Sequence, residues 1–287
     1  MWGWGAWIVV RLIIAVTLLL GLTMWSPADA AHHRSACEKV VKYTARCAEI
    51  EVYGHRGRHW RTATNENTLV AFKQDAQVGA SFEADAWVLS DGTAVIFHDK
   101  RLGRVVDRDS MPPGVTARTT ITSLTTAQFR QLRTKGGQPL MTLERLLKFS
   151  GRRSITGMIE NKYTLLDPVQ VSEWVTQFHA PVVFYQTPKC REGVAERPEF
   201  LDYGMTVGAK YIGACAPSPQ VLADAGYSFL ITHEDAITPE YVADAHSHGL
   251  AVGNFNSGKT DVWTRLVAAG ADYLLVPHPG KAERWLT

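Results

Sequence analysis

The stretch that decides the fold begins with EVYGHRG at residues 51–57 and ends with FEADAWVLSDGTAVIFHD at residues 82–99. Its short apolar runs end in charged or imidazole side chains, and a helix-like segment, residues 68–78, lies between them. A strand, a helix and a further strand form the unit of a parallel α/β sheet. Ionisable groups at the carboxyl ends of such strands are typical of an active site on a barrel.

The same alternation continues to the C-terminus. The strand candidates are residues 51–54, 82–88, 94–97, 155–160, 182–186, 211–213, 229–232, 250–254 and 273–276. The helix candidates are residues 68–78, 125–133, 142–149, 168–178, 217–225, 239–248 and 260–269. A chain of 287 residues favours closure of the sheet into a (β/α)8 TIM barrel, which takes about 250 residues.

Two features complicate the count of strands. Nine candidates compete for eight barrel positions, and Asp91-Gly92 is typical of a tight turn. Either one of the two flanking strands lies outside the barrel, or another of the candidates is wrong. Residues 100–138 lack clear periodicity and contain Pro112-Pro113-Gly114. We expect this segment to be an insertion after the third strand candidate.

The N-terminal residues differ from the rest. Residues 2–25 are almost wholly apolar, and Ala28 and Ala30 occupy the small-residue positions that a signal peptidase requires. This pattern predicts a signal peptide at residues 1–30 and a single mature domain at residues 31–287. An uncleaved membrane anchor is the alternative, because the apolar stretch is long enough to span a bilayer. Both alternatives predict a secreted or extracytoplasmic protein.

Charge and cysteine content narrow the class of protein. The formal net charge is +2 and no basic arm is present, which argues against nucleic-acid binding. The four cysteines have no C-x-x-C spacing, and an even number in an exported chain favours disulfides over free thiols. Three pairings are open, of which Cys37–Cys47 with Cys190–Cys215 is our prediction.

His55 and Arg56 follow the first strand. An imidazole exchanges protons near neutral pH, and a guanidinium binds phosphoryl oxygens through a planar fork. The pair therefore suits a phosphate substrate, although the tripeptide His-Arg-Gly is common and a structural role is the alternative. His98 stands at the end of a second apolar strand, where a lone histidine is usually a core residue.

Carboxylates in strands point to a metal. Glu83 and Asp85 lie two residues apart and therefore face the same side of a strand. Buried carboxylates repel each other unless they are neutralised, and a hard divalent cation, Mg²⁺ or Ca²⁺, is the simplest neutraliser. Glu160 and Lys162 repeat the spacing on another strand. The alternatives are an edge strand that faces water and a surface ion pair.

Together these residues resemble the glycerophosphodiester phosphodiesterase family. The motifs that carry the resemblance are GHRG (54–57), NENT (65–68), FEAD (82–85), SDG (90–92), VIFHD (95–99), TLE (142–144) and ENK (160–162). The resemblance implies a β/α barrel with an insertion after the second histidine. It implies the following roles: His55 and His98 as the acid–base pair, Glu83, Asp85 and Glu160 as ligands of one Mg²⁺ or Ca²⁺, and Arg56 and Lys162 on the phosphate.

Two further residues come from the NENT motif. Glu66 is a candidate near the phosphate or the metal. Asn67 precedes an apolar-periodic stretch and is predicted to be a helix N-cap. The C-terminal half departs from the family pattern in GNFN (253–256), VPHP (276–279) and YQ (185–186). These departures leave the alcohol of the substrate undefined.

The expected reaction is metal-dependent hydrolysis of a glycerophosphodiester to an alcohol and glycerol phosphate. The substrate would be a small-molecule or lipid-derived phosphodiester, and contact with a membrane surface stays open. One alternative is a secreted phospholipase D or sphingomyelinase-D-like enzyme that acts on intact or lyso-phospholipids. A second alternative, from another class, is a barrel that has lost catalysis and serves as an exported binding protein.

Overall fold

The computed structural model describes residue 37 and residues 45–57, 65–188, 190–191, 194–211 and 218–287. The expected signal peptide with its cut after Ala30 lies outside the described residues, as do Cys215 and the end of the strand predicted at 211–213. Among the helices in the described part of the chain, none is both long enough and apolar enough to cross a bilayer.

Strands and helices alternate along the described chain. The strands are β1 (Glu51–Gly54), β2 (Ser81–Val88), β3 (Ala94–Ile96), β4 (Met141–Thr142), β5 (Gly157–Asn161), β6 (Val182–Gln186), β7 (Cys190–Arg191), β8 (Val194–Ala195), β9 (Val207–Tyr211), β10 (Phe229–Thr232), β11 (Ala251–Asn254) and β12 (Tyr273–Val276). The α-helices are α1 (Ala45–Glu49), α2 (Leu69–Gln77), α3 (Thr126–Phe129), α4 (Leu143–Arg153), α5 (Pro168–Phe178), α6 (Pro219–Asp224), α7 (Pro239–Ser247), α8 (Thr260–Ala269) and α9 (Pro279–Leu286).

Eight parallel strands close into a barrel. The order around it is β1, β2, β5, β6, β9, β10, β11 and β12, and β12 pairs back to β1. The predicted (β/α)8 TIM barrel is therefore confirmed. The ninth candidate is β3, which pairs antiparallel with β2 through the expected turn at Asp91-Gly92 and lies outside the ring.

The insertion packs as a small unit of its own beside β2 and β3. Its helices are the four-residue α3 and three short 3₁₀-helices, Leu102–Arg104, Arg108–Ser110 and Ile121–Ser123. Buried side chains from this segment, among them Leu102 and Ile121, form one cluster with Trp87 and Phe97. Because these turns have no single period, their apolar pattern did not show in the sequence.

Several element bounds differ from the predictions, among them those of β9 and α3. The strand expected at 211–213 is β9, which begins at Val207, because the inward-facing Lys210 interrupts its apolar run. The helix expected at 125–133 is the four-residue α3, whose Thr125 forms a capping box with Gln128. The C-terminal helix α9 was not predicted.

Cys37 and Cys47 form the predicted disulfide. Both cysteines are buried and belong to the main hydrophobic cluster. The bond joins two residues that both precede β1, and their burial packs this segment against the barrel. The Cys190–Cys215 pairing lies outside the described residues and stays a prediction.

Candidate active site

The turn after β1 presents His55 and Arg56 at the carboxyl end of the barrel. The His55 N–H donates to the carbonyl of Val276 at 2.9 Å, and the Gly57 N–H donates to the carbonyl of Gly54 at 3.0 Å. Arg56 and Gly57 both have positive φ, 59° and 74°. A Cβ on Gly57 would lie 2.7 Å from the Cβ of Ala71, so only glycine fits there.

His55 itself is buried within this turn. Its ring meets the ring of Phe255 edge to face, with the two centroids 5.8 Å apart. Phe255 directly follows β11, which lies two strands away from β1 around the barrel. This packing holds the imidazole at the mouth of the barrel.

The three predicted metal ligands converge. Asp85 on β2 and Glu160 on β5 are paired residues of adjacent strands, and Glu83 lies two residues before Asp85 on the same face. One carboxylate oxygen from each lies within 4.8 Å of the others. All three residues are buried. The alternative of an edge strand facing water is therefore wrong.

Glu83 is held by two donors. The Arg56 backbone N–H donates to its Oε2 at 2.8 Å, and the Tyr185 hydroxyl donates to its Oε1 at 2.6 Å. Burial and the nearby charge of Asp85 raise the pKa of Glu83 to about 8. Ionisation of Glu83 would add a third negative charge to the group of carboxylates, which is costly unless further positive charge is present.

Asp85 is surrounded by positive charge. Its Oδ1 lies 3.0 Å from the Lys162 Nζ, and the Arg56 Nε lies 3.6 Å from its Oδ2. Burial would raise the pKa of Asp85, but Lys162, His98, Arg56 and a hydrogen bond from Asn67 hold it well below its usual range. This carboxylate is therefore ionised at neutral pH.

Asn67 corrects a prediction. The N-cap of α2 is Thr68, whose hydroxyl accepts from the Ala71 N–H at 3.3 Å. Asn67 instead has a φ of 55° and is buried, and its Nδ2 donates to the Asp85 Oδ2 at 2.8 Å. The Asp85 N–H donates back to the Asn67 Oδ1 at 3.3 Å. Asn67 therefore orients a predicted metal ligand.

Glu160 contacts two lysines. The Lys162 Nζ lies 2.5 Å and the Lys210 Nζ 2.9 Å from its Oε2. Burial would lower the pKa of Lys162, but Asp85 and Glu160 raise it above its usual range. The alternative of a surface ion pair is wrong, because Glu160 is buried and the side chain of Lys162 is only 11% exposed.

Lys210 was missed by the sequence analysis. It lies on β9, is buried, and places its Nζ 4.8 Å from the ring centroid of Phe255 and 5.6 Å from that of Tyr185. A lysine inside an otherwise apolar strand was the available signal, since buried lysines are rare unless they are paired. Here the signal was hidden because the strand was placed four residues too late.

His98 belongs to a second polar group beside the carboxylates. Its Nδ1 lies 2.6 Å from the Asp99 Oδ1. Burial would raise the pKa of Asp99, but hydrogen bonds from His98 and Arg104 hold it well below its usual range. Asp99 is therefore ionised and accepts a hydrogen bond from the protonated Nδ1 of His98. This leaves the His98 Nε2 to exchange a proton.

Arg104 joins this group to Glu66. Its Nη1 and Nη2 lie 2.6 and 2.5 Å from the two Glu66 carboxylate oxygens, and its Nε and Nη2 lie 2.7 and 2.8 Å from the two Asp99 oxygens. Glu66 also accepts from the Arg56 Nη1 at 3.2 Å. The structure thus places the predicted site residue Glu66 as a link between two arginines.

An open cavity of about 610 Å³ adjoins these groups. Its walls include His98, Glu160 and Lys162, together with Trp87 and Tyr163. The volume is in the range of small-molecule sites. The candidate site therefore has room for a substrate next to its histidine, lysine and carboxylates.

The donor set fits a hard divalent cation. Two groups of acidic and imidazole side chains in the described chain lie close enough to share an ion: Glu83 with Asp85 and Glu160, and Glu66 with His98 and Asp99. In the second group the Arg104 guanidinium already contacts both carboxylates. The first group offers three buried carboxylates and a raised Glu83 pKa, and oxygen ligands of this kind suit Mg²⁺ or Ca²⁺.

The part of the chain that carries most of this site matches a known family model. A model described as the Glycerophosphoryl diester phosphodiesterase family matches residues 55–186. The match covers His55, His98 and the strands that carry the three carboxylates. Just under half of the chain is thus similar to this family. The predicted glycerophosphodiester phosphodiesterase resemblance is confirmed.

Solved structures share the fold of this barrel. A glycerophosphodiester phosphodiesterase from Agrobacterium tumefaciens has a TM-score of 0.66 at 19% identity, over 83% of this chain and 100% of that chain. One from Parabacteroides distasonis has 0.63 at 18%, over 83% and 97%. An Oleispira antarctica phosphodiesterase, solved with the product sn-glycerol-3-phosphate, has 0.65 at 20%, over 83% and 97%.

Proposed function

We propose that the protein hydrolyses glycerophosphodiesters to an alcohol and glycerol phosphate. In this proposal His55 and His98 form the acid–base pair, and Glu83, Asp85 and Glu160 hold one Mg²⁺ or Ca²⁺. The observation that carries it is the convergence of three buried carboxylates within 4.8 Å, beside a cavity lined by His98. The family match favours this reaction over the phospholipase D-like alternative.

Charge balance supports an anionic substrate. Three carboxylates are matched by three cations that contact them, Arg56, Lys162 and Lys210. A divalent cation at the carboxylates would leave the site positive, which attracts the single negative charge of a phosphodiester. Arg56 and Lys162 would then bind phosphoryl oxygens, where charge accumulates in the transition state.

Proton transfer falls to the two histidines. One removes a proton from the attacking oxygen and the other donates one to the departing alkoxide. Asp99 keeps the Nδ1 of His98 protonated, so the exchange takes place at Nε2. When bound, a divalent cation polarises a non-bridging phosphoryl oxygen and so lowers the barrier to attack.

Histidine variants test the acid–base pair. We expect His55→Ala and His98→Ala each to lower kcat by about 10²–10⁴-fold, the usual contribution of a positioned acid or base. His233→Ala is the matched control, because the side chain of His233 is 68% exposed. Circular dichroism would show that the variants fold. Near-normal turnover in either active-site variant would sink the assignment.

Metal removal tests the carboxylate site separately. Chelation should abolish hydrolysis, and Mg²⁺ or Ca²⁺ should restore it. The same ions should raise the melting temperature of the chelated protein, and should fail to do so in Glu83→Gln, because the variant loses one of three charged ligands. Full activity after thorough chelation would contradict a metal-dependent reaction.

The location of the mature protein is also a proposal. The apolar segment before residue 31 supports export and removal of residues 1–30. The intact mass of the protein recovered from the medium should equal that of a chain that begins at Ala31. A chain that keeps residue 1 and sediments with membranes would instead favour the anchor.

A further inference from the structure

The cavity beside the carboxylates is larger than the glycerol phosphate part of the proposed substrate requires. A glycerol unit is small, whereas the cavity measures about 610 Å³. A phosphodiester held at His98 and Lys162 carries a second arm, its alcohol. The walls that the proposed mechanism leaves unused are therefore the place to look for selection of that alcohol.

Two aromatic rings form one of these walls. The centroids of Trp87 and Tyr163 lie 5.2 Å apart with 47° between the ring planes. Trp87 is buried, and its Nε1–H donates to the carbonyl of His98 at 3.2 Å. Tyr163 is 73% exposed and has a φ of 55°, an uncommon conformation for a large side chain. An exposed ring held this way beside a cavity is typical of a ligand contact.

Charge around the cavity excludes one class of alcohol. Lys100 and Lys162 line it. The two carboxylates among the described lining residues both form ion pairs. Asp99 pairs with Arg104, and Glu160 pairs with Lys162 and Lys210. Quaternary ammonium groups are recognised by cages of several aromatic rings. Two rings packed against each other beside lysines do not form such a cage.

We propose that this cavity is the alcohol subsite and that it selects a neutral cyclic polyol over a cationic alcohol. The apolar C–H face of the polyol ring would pack on Trp87 and Tyr163, and its hydroxyls would bond to Lys100 and Thr187 at the polar part of the wall. This inference rests on the proposed function, because it assigns the alcohol of the same phosphodiester.

The first experiment compares two substrates. Wild-type kcat/KM should be at least about tenfold higher for glycerophosphoinositol than for glycerophosphocholine. Tyr163→Ala should lower kcat/KM for glycerophosphoinositol by about tenfold and leave glycerophosphocholine nearly unchanged, because only the polyol ring uses the aromatic contact. Tyr203→Ala is the matched control, since Tyr203 is 44% exposed and lies on the 3₁₀-helix Glu199–Tyr203.

The second experiment reverses a charge. Lys100→Glu should raise the ratio of glycerophosphocholine to glycerophosphoinositol turnover by about tenfold at low salt, and the effect should shrink as salt increases. Lys73→Glu on α2 makes the same change in net charge away from the cavity and should leave the ratio unchanged.

The outcomes separate this inference from the proposed function. Hydrolysis of both substrates with a preference for glycerophosphocholine would overturn the inference and leave the proposed function standing. An equal loss on both substrates in Tyr163→Ala would also overturn it. If neither glycerophosphodiester is hydrolysed, the proposed function is wrong and the inference falls with it.

Discussion

At the scale of single residues, the site is a set of buried charges that each have a named partner. Glu83 accepts from Arg56 and Tyr185, and Asp85 accepts from Asn67 and contacts Lys162. Such pairs are costly to break, because removal of one member leaves the other buried and uncompensated. Substitutions that keep the shape and remove the charge are therefore the most informative.

Asp99 is the first such position. In Asp99→Asn the acceptor of the His98 Nδ1 proton loses its charge, so the imidazole is no longer held in one tautomer. We expect kcat to fall by about 10- to 100-fold with little change in KM.

A matched pair elsewhere controls for this change. Asp235 lies 3.4 Å from the Nδ1 of His233, and both side chains are largely exposed. Asp235→Asn should leave kcat and its pH profile unchanged. Adding Asp99→Asn to His98→Ala should cause no further loss. A further tenfold loss in that double variant would show that Asp99 acts independently of His98.

Lys210 gives the second prediction. Its Nζ contacts the Glu160 Oε2 that we assign to the metal, so the lysine competes with a cation and also adds positive charge for the phosphate. Lys210→Met should raise KM by about tenfold and tighten binding of Mg²⁺ or Ca²⁺ measured by calorimetry. Lys281→Met is the control, since that ammonium lies 5.2 Å from the ring centroid of Trp263. Unchanged KM together with unchanged metal affinity would contradict this role.

At the scale of strands and helices, the local pattern of apolar residues predicted the strands that are formed by burial of apolar side chains. The bounds of β1, β6, β10 and β12 were predicted from their apolar runs, since buried parallel strands are continuously apolar. The position of β9 was missed because Lys210 breaks that rule. The strand that the sequence obscured is thus one that carries a charged group into the barrel.

The site was predictable in part for the same reason. Two-residue spacing placed Glu83 and Asp85 on one face of β2. The same spacing brought Lys162 to Glu160, although Lys162 lies just after β5. The contacts between Asn67 and Asp85, or between Arg104 and Glu66, join positions 18 and 38 residues apart. Such pairings depend on how a turn or an inserted segment folds over the barrel, and no local periodicity reports that.

Barrel closure gives a prediction about β9. Gly208 faces the ring of Phe229 on β10, and a Cβ at Gly208 would overlap that ring. Gly208→Ala should therefore lower the free energy of unfolding by about 1–3 kcal/mol, measured by urea denaturation. Gly208→Ala combined with Phe229→Leu should recover part of the loss. A double variant no more stable than the sum of the two single changes would contradict the steric explanation.

At the scale of the whole molecule, one side of the barrel carries the chemistry. The charged inner residues lie on β2, β5 and β9, whereas inner residues of β10 and β12, such as Ile231 and Leu275, belong to an apolar cluster. The insertion adds Arg104 and packs against β2 and β3 on the charged side. In the proposed function, this asymmetry would place the phosphate on the charged side, next to the cavity.

Buried charge also couples folding to pH and metal. Without a cation, burial and Asp85 raise the pKa of Glu83 from 4.5 to about 8. Between these values the folded state keeps a proton that the unfolded chain has released, so stability falls as the pH rises. Asp85 has the opposite shift, and its contribution is complete above its unfolded value of 3.8. From about 5 to 8 Glu83 therefore lowers the stability as the pH rises, and Glu283, whose pKa is also raised by burial, contributes with the same sign.

The metal-free protein should consequently melt at a lower temperature at pH 8 than at pH 5.5. Glu83→Gln should have a flatter dependence, because glutamine does not titrate. Mg²⁺ or Ca²⁺ needs the ionised carboxylate, so its stabilising effect on the wild type should grow with pH. Scanning calorimetry of chelated and metal-loaded protein measures both slopes. Parallel curves for the wild type and Glu83→Gln would show that this carboxyl does not set the pH dependence of folding.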